Sequence, residues 1–187
     1  MSRNKTYDEQ EVLEKAMNLF WKNGYKATSM QMLEKEMGIN KFSIYSSFGS
    51  KDLLLQDCVK CYATKLNCII AKLQNSTGDI ADLRQYFYDF LEFSKEDKLK
   101  KGCLITNTAN EGLKEDNAEI NDLITAYTSD IREVFADKIR KNKTYDEQQV
   151  QQKADYLLIA MFGFSSATKV FNENQLESYI QGVFENI

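Results

Sequence analysis

The chain has 187 residues, 43% hydrophobic and 28% charged, and a formal net charge of -4, the balance of one globular unit of moderate size. It holds no His, which excludes Ser-His-Asp and Cys-His catalysis, histidine zinc sites and any imidazole base. It also holds no Pro and only 8 Gly, too little punctuation for sandwiches or hairpin meanders, and no apolar run approaches the roughly 18 residues of a membrane span. The polar start, Met1 to Glu9, lacks the apolar core of a signal peptide, so the expected location is cytoplasmic. The expectation is an all-α protein that binds rather than catalyses, with no cofactor and no metal.

In chain order, Thr6 and Glu9 form a capping box that opens a first helix. Val12, Leu13, Ala16, Met17, Leu19 and Phe20 recur in it at helical spacing, and Asn23-Gly24 ends it. Thr28 or Ser29 caps a short second helix running to Met37, where Gly38 breaks it. Asn40 caps a third, Lys41 to Phe48, and Gly49-Ser50 separates it from a long fourth, Lys51 to about Leu73. Two short helices joined by a tight Gly-containing turn are the helix-turn-helix layout.

The remainder reads as further helices: Ile80 to Glu96, Cys103 to Leu113, Ala118 to Arg140, Asp146 to Val170 and Gln175 to Ile187, about nine in all. The charged stretch Ser94 to Gly102 reads as a mobile loop. The heptapeptide Asn4 to Gln10 recurs as Asn142 to Gln148, each copy at a helix start with a Thr-x-x-Glu box; nothing around them repeats.

The third helix carries Lys41, Ser43, Tyr45, Ser46 and Ser47 and no acid, and Lys51 follows at the start of the fourth. Such groups reach phosphates and base edges. Residues 1–60 carry a net +1 and residues 61–187 a net -5, a small asymmetry.

The run Leu19-Phe20, Gly24-Tyr25, Thr28-Ser29-Met30, Gly38-Ile39-Asn40, Ile44-Tyr45 and Phe48-Gly49-Ser50-Lys51-Asp52-Leu53-Leu54 resembles the N-terminal domain of TetR-type transcriptional repressors. The resemblance covers about residues 7 to 60. Further on, Gly102-Cys103-Leu104, Asn107, Ala109 and Glu111 resemble a segment seen in many members. Three features depart from the family pattern. Glu34 and Met37 stand where two alanines are usual, Phe42 where glycine is frequent, and Ser47 where His or Tyr is frequent.

The resemblance implies a DNA-binding head, residues 1–50, and a helical effector-binding and dimerisation body, residues 51–187. It implies that Thr28, Ser29 and Gln31 reach phosphates, that Lys41, Phe42, Ser43 and Ser46 face the major groove, and that Tyr45 and Lys51 hold phosphates. Asn40 caps the recognition helix and joins the contact. Phe42, if exposed, can meet a thymine methyl. The partners so implied are a near-palindromic double-stranded operator, a second copy joined through the last two helices, and a small-molecule effector. The apolar runs Tyr156 to Phe164 and Leu176 to Phe184 point independently to a dimer.

Candidate effector-wall residues are Tyr86, Phe87, Phe90, Phe93, Cys103, Asn107, Tyr127 and Phe162, and the aromatic content of 12% favours an apolar or planar ligand. Two alternatives stay open. One is a helical adaptor that binds only protein. The other is a regulator sensing thiols or soft metals through Cys58, Cys61 and Cys68, which lie within about 80° of one another on a helix.

Overall fold

In the computed structural model, which describes residues 7–95, 101–112, 118–185 and 187, polar caps and glycines set the helix ends. The described residues form nine helices: α1 Glu9–Asn23, α2 Met30–Met37, α3 Lys41–Phe48, α4 Lys51–Asn75, α5 Ile80–Lys95, α6 Leu104–Asn110, α7 Ala118–Arg140, α8 Glu147–Ala167 and α9 Glu173–Phe184. No strand occurs among them, and no helix is long and apolar enough to cross a membrane.

Ser29, Asn40 and Ser50 cap α2, α3 and α4, each side chain accepting a backbone N–H of the first turn. Gly38 ends α2 in the left-handed region at φ 70°. Two expected caps differ. Thr6 lies outside the described residues, and α1 is capped by Asp8, whose carboxylate accepts the N–H groups of Gln10 and Glu11. α8 is capped by Asp146, in a reciprocal box with Gln149 rather than Thr144 with Glu147. The repeated heptapeptide therefore places an aspartate, not a threonine, at each cap; a carboxylate there also meets the positive end of the helix dipole. α9 starts two residues earlier than its sequence suggested, because Asn172 and Gln175 close another box.

One apolar core runs from Val12 on α1 to Phe184 on α9. α4 serves both ends of it, meeting α1 and α3 as well as α5, α6 and α7, with Leu54, Leu55, Cys58, Leu66, Ile70 and Leu73 buried along its length. The body is built chiefly from α7 against α8, with α5 and α9 closing one side. Edge-on rings fill that side, Phe87 lying 5.2 Å from Phe184 and Tyr86 5.5 Å from Phe135. The apolar residues of α9 (Leu176, Ile180, Val183 and Phe184) are consumed by this core, so the run Leu176 to Phe184 is not the free surface its sequence suggested.

Of the connection expected to be mobile, residues 96–100 lie outside the described residues. Its ends are ordered differently from that expectation: Ser94 is a buried residue of α5, and Lys101 and Gly102 are buried. The Lys101 ammonium lies 4.8 Å from the centre of the Trp21 ring, and the Trp21 indole N–H donates to the Gly102 carbonyl at 3.1 Å.

Candidate nucleic-acid interface and the cavity behind it

α2 and α3 form the helix-turn-helix pair. Ile44 and Phe48 turn inward from α3, and Lys41, Phe42, Tyr45 and Ser46 turn outward as one exposed face. Phe42 is 78% exposed, unusual for a phenylalanine in a soluble fold. The Lys41 ammonium sits 5.7 Å from the centre of the Tyr45 ring.

Three contacts fix α3 in place. Asn40 caps it, accepting the Ser43 N–H at 2.9 Å. The Glu34 carboxylate of α2 accepts the Lys41 backbone N–H, so one departure from the family pattern supplies a second cap to α3. Tyr7 reaches the other end, its hydroxyl 2.8 Å from that of Ser47, a second departure.

The expected phosphate-contacting residues separate on inspection of their surroundings. Ser29 and Gln31 are exposed at the start of α2. Thr28 is fully buried, and its hydroxyl donates to the Gly24 carbonyl at 2.6 Å. It shapes the turn, and its hydroxyl is already spent there, so its place among the contacts is corrected. Ser43 is half-buried on the flank of α3. Lys51 is half-buried, its ammonium donating to the Tyr25 carbonyl at 2.7 Å and lying 4.1 Å from the centre of the Tyr25 ring. Burial lowers its pKa, against the pull of Asp52 and Glu111. The Tyr25 hydroxyl donates to Asp52, and burial followed by that carboxylate raises its pKa.

The turn holding Tyr25 is also gripped from the body. Both Glu111 carboxylate oxygens accept backbone N–H groups, from Tyr25 at 2.8 Å and from Lys26 at 2.9 Å, and the Lys26 ammonium donates to the Glu111 carbonyl at 2.6 Å. Gly24 permits this approach twice over: its φ is 83°, and a β-carbon there would stand 2.6 Å from a Glu111 oxygen. The sequence offered Glu111 only as part of a resembling segment; its partners lie more than eighty positions earlier, beyond any local pattern.

Behind α6 lies a small cavity of about 30 Å³. Five of the eight candidate wall residues line it: Tyr86, Phe90, Cys103, Tyr127 and Phe162. Leu66, Ile105, Thr106, Ile131, Leu158, Met161 and Ser165 are among the others, and no charged side chain is among the described residues that line it. The Tyr127 hydroxyl is buried without a hydrogen-bond partner among the described residues, and burial raises its pKa.

Three candidates are corrected. Phe87 packs between Phe164 and Phe184 in the core. Phe93 packs with Trp21 and Tyr62 where α1 meets the body. Asn107 lines a different groove, shared with Trp21, Lys26 and Glu111, donating to the Lys101 carbonyl at 2.8 Å and accepting from Lys169 at 3.2 Å. Inward periodicity could not say which inward neighbour each side chain met.

The cysteines do not form a metal site. Cys58 is buried and Cys68 exposed, with Cys61 between them in exposure, and no metal-holding cluster occurs among the described residues. Burial pushes the thiols of Cys58 and Cys103 up, away from the reactive thiolate.

A family model described as bacterial regulatory proteins of the tetR family matches residues 12–58, which covers α2, α3 and most of α1. The match lies in the head of the chain and ends within α4. An HTH-type transcriptional regulator of Bacillus subtilis, YezE, is 31% identical over 117 residues, 62% of this chain and 60% of that protein. The chain thus matches less than two thirds of that relative's length. IcaR of Staphylococcus aureus, a negative regulator of the biofilm operon icaADBC, is 28% identical over 157 residues, 82% of this chain and 79% of IcaR.

Among solved structures, the TetR-family regulator CifR, a cysteine mutant in complex with a 26-base-pair operator DNA, aligns with a TM-score of 0.86 at 19% identity over 98% of each chain. A TetR regulator of Legionella pneumophila aligns at 0.81 with 20% identity, over 99% of this chain and 100% of that one. These structural likenesses bear on the fold. They show that the fold of the helical body, as well as that of the matched head, is shared with those structures.

Proposed function

We propose that this chain is a DNA-binding transcriptional repressor that acts as a homodimer and leaves its operator when a small neutral molecule enters the cavity behind α6. The observation that carries the reading is the outward face of α3. Its Lys41, Phe42, Tyr45 and Ser46 are exposed together with no acid among them, on a helix capped twice and pinned at its far end. The match of residues 12–58 to the tetR family model and IcaR's printed role as a negative regulator support it. In this reading Ser29, Gln31, Tyr45 and Lys51 hold phosphates, while Lys41, Phe42 and Ser46 face base edges.

One recognition helix reads only a few base pairs, so selective binding calls for two heads. The second copy docks on α8, where Tyr156, Ile159 and Gly163 make an outward stripe and Ile159 is 72% exposed. Tyr179 of α9 extends it, its hydroxyl donating to the Ala160 carbonyl at 2.9 Å. A twofold dimer then matches a near-palindromic operator.

The cavity supports a ligand of mixed character: aromatic and aliphatic walls, a few hydroxyls and no charge. At about 30 Å³ it holds little more than a water, whereas ligand sites run to hundreds of Å³, so binding must displace side chains. Displaced walls include Cys103 and Thr106, and α6 carries that displacement to Glu111 and the head. A ligand favouring the displaced state therefore weakens DNA binding reciprocally. Residues 1–50 act as head and 51–187 as body, with the start of α4 shared between them.

The direct test is fluorescence anisotropy of the full chain with labelled duplex across a salt series. The reading expects log Kd to rise linearly with log salt. A helical adaptor specific for protein shows no such affinity.

A further inference from the structure

We propose that Phe42 reads the C5 methyl group of a thymine in the major groove, so that each half-site bound by this chain holds one thymine it cannot exchange for cytosine. The inference rests on the DNA-binding reading above and adds to it the identity of a base and the group on that base that is read.

Phe42 is the second residue of α3, at the end of a recognition helix where base-edge contacts concentrate. It is 78% exposed, while the other phenylalanine of α3, Phe48, is 9% exposed and closes the head's core. Its outward neighbours are otherwise equipped: Lys41 carries charge and lies over the Tyr45 ring, and Tyr45 and Ser46 carry hydroxyls. Phe42 offers neither a donor nor a charge, so it can gain nothing from phosphates or from the donors and acceptors of the groove. The thymine methyl is the one apolar group that the base edges present in the major groove, and a phenyl ring is among the side chains suited to it. Placing the two together removes from water an apolar surface that the free protein leaves exposed.

The test starts with sequences that the full chain selects from a random duplex library. Each thymine of the recovered site is replaced in turn by deoxyuridine, which keeps the pairing and removes only the methyl. One position per half-site should then lose about fourfold in affinity. At that position cytosine should bind weakly, and 5-methylcytosine, which restores a methyl at C5, should recover part of the loss. Phe42→Ala removes an exposed side chain from a head whose core is intact, and its complex should be indifferent to uracil there while effects at other positions persist.

A wild-type chain indifferent to uracil throughout a site it binds overturns the proposal and leaves the DNA-binding reading standing. A uracil penalty that survives in Phe42→Ala overturns it as well. Failure to enrich any duplex, with no salt-dependent affinity, removes the DNA-binding reading and the proposal with it.

Discussion

Glu111, one residue beyond α6, accepts the backbone N–H of Tyr25 at 2.8 Å, joining the body to the turn between α1 and α2 across 86 positions of chain. Tyr25 in turn accepts the Lys51 ammonium at 2.7 Å through its carbonyl and donates through its hydroxyl to Asp52. One path of direct contacts thus runs from the cavity wall on α6, through Glu111 and Tyr25, to a proposed phosphate contact.

Removing the Glu111 carboxylate should free that turn. Glu111→Ala is expected to lower stability by about 2 kcal/mol, since hydrogen bonds to a charged group are lost and two amides are left without partners. The amides of Tyr25 and Lys26 should exchange with deuterium faster than in the parent chain. Affinity for the operator should fall as the head loses its fixed orientation. Unchanged exchange at both amides would show that the turn holds itself.

Lys51 and Tyr45 are assigned to phosphates, which carry no sequence information. Lys51→Met should weaken binding to every bound sequence alike and reduce the salt slope by about one. Its effect should include some loosening of the turn, because the ammonium also holds the Tyr25 carbonyl. Tyr45→Ala should weaken binding with no change in preferred sequence. A shift in preference in either variant would move that residue to the base-reading group.

The buried Tyr127 hydroxyl has no hydrogen-bond partner among the described residues, so it costs stability there. Tyr127→Phe should be as stable as the parent or more so by about 1 kcal/mol, a rise in Tm of roughly 2–4 °C for a chain of this size. A clear drop in Tm would mean that the hydroxyl is already satisfied and is not held in reserve for a ligand.

The dimer reading concentrates on one side chain. Ile159→Glu puts a charge into the outward stripe of α8 without touching the core, because the residue is exposed in the single chain. Analytical ultracentrifugation should show a monomer of unchanged helical content, with operator affinity reduced at least tenfold by loss of the second head. A dimer of undiminished strength would place the interface elsewhere.

What the sequence made legible is what local chemistry decides. Ser29, Gly38, Asn40 and Ser50 fix the head because capping and left-handed glycine act within four residues, and each does in the structure what its residue type requires. The threonine boxes failed for a related reason: Thr and Asp both cap well, and in the repeated heptapeptide only the point where the chain enters the helix decides between them. Thr28 was misread because its type suits a phosphate as well as a turn, and burial, which sequence does not print, made the choice. Phe87 and Phe93 face inward as periodicity requires, yet inward leads to three different places: the cavity, the α5–α9 core and the Trp21 joint. Glu111 lay out of reach altogether, since a carboxylate at a helix end has no local sign of a partner 86 positions away.

The central claim is that two copies of this chain bind a symmetric DNA site through α3. Selection of bound sequences from a random duplex library at near-physiological salt tests it most directly. The account predicts a near-palindrome of two half-sites whose centres are separated by a whole number of helical turns, bound as one dimer. Recovery of no common sequence by a folded chain, or of a lone asymmetric element bound by one copy, would contradict it.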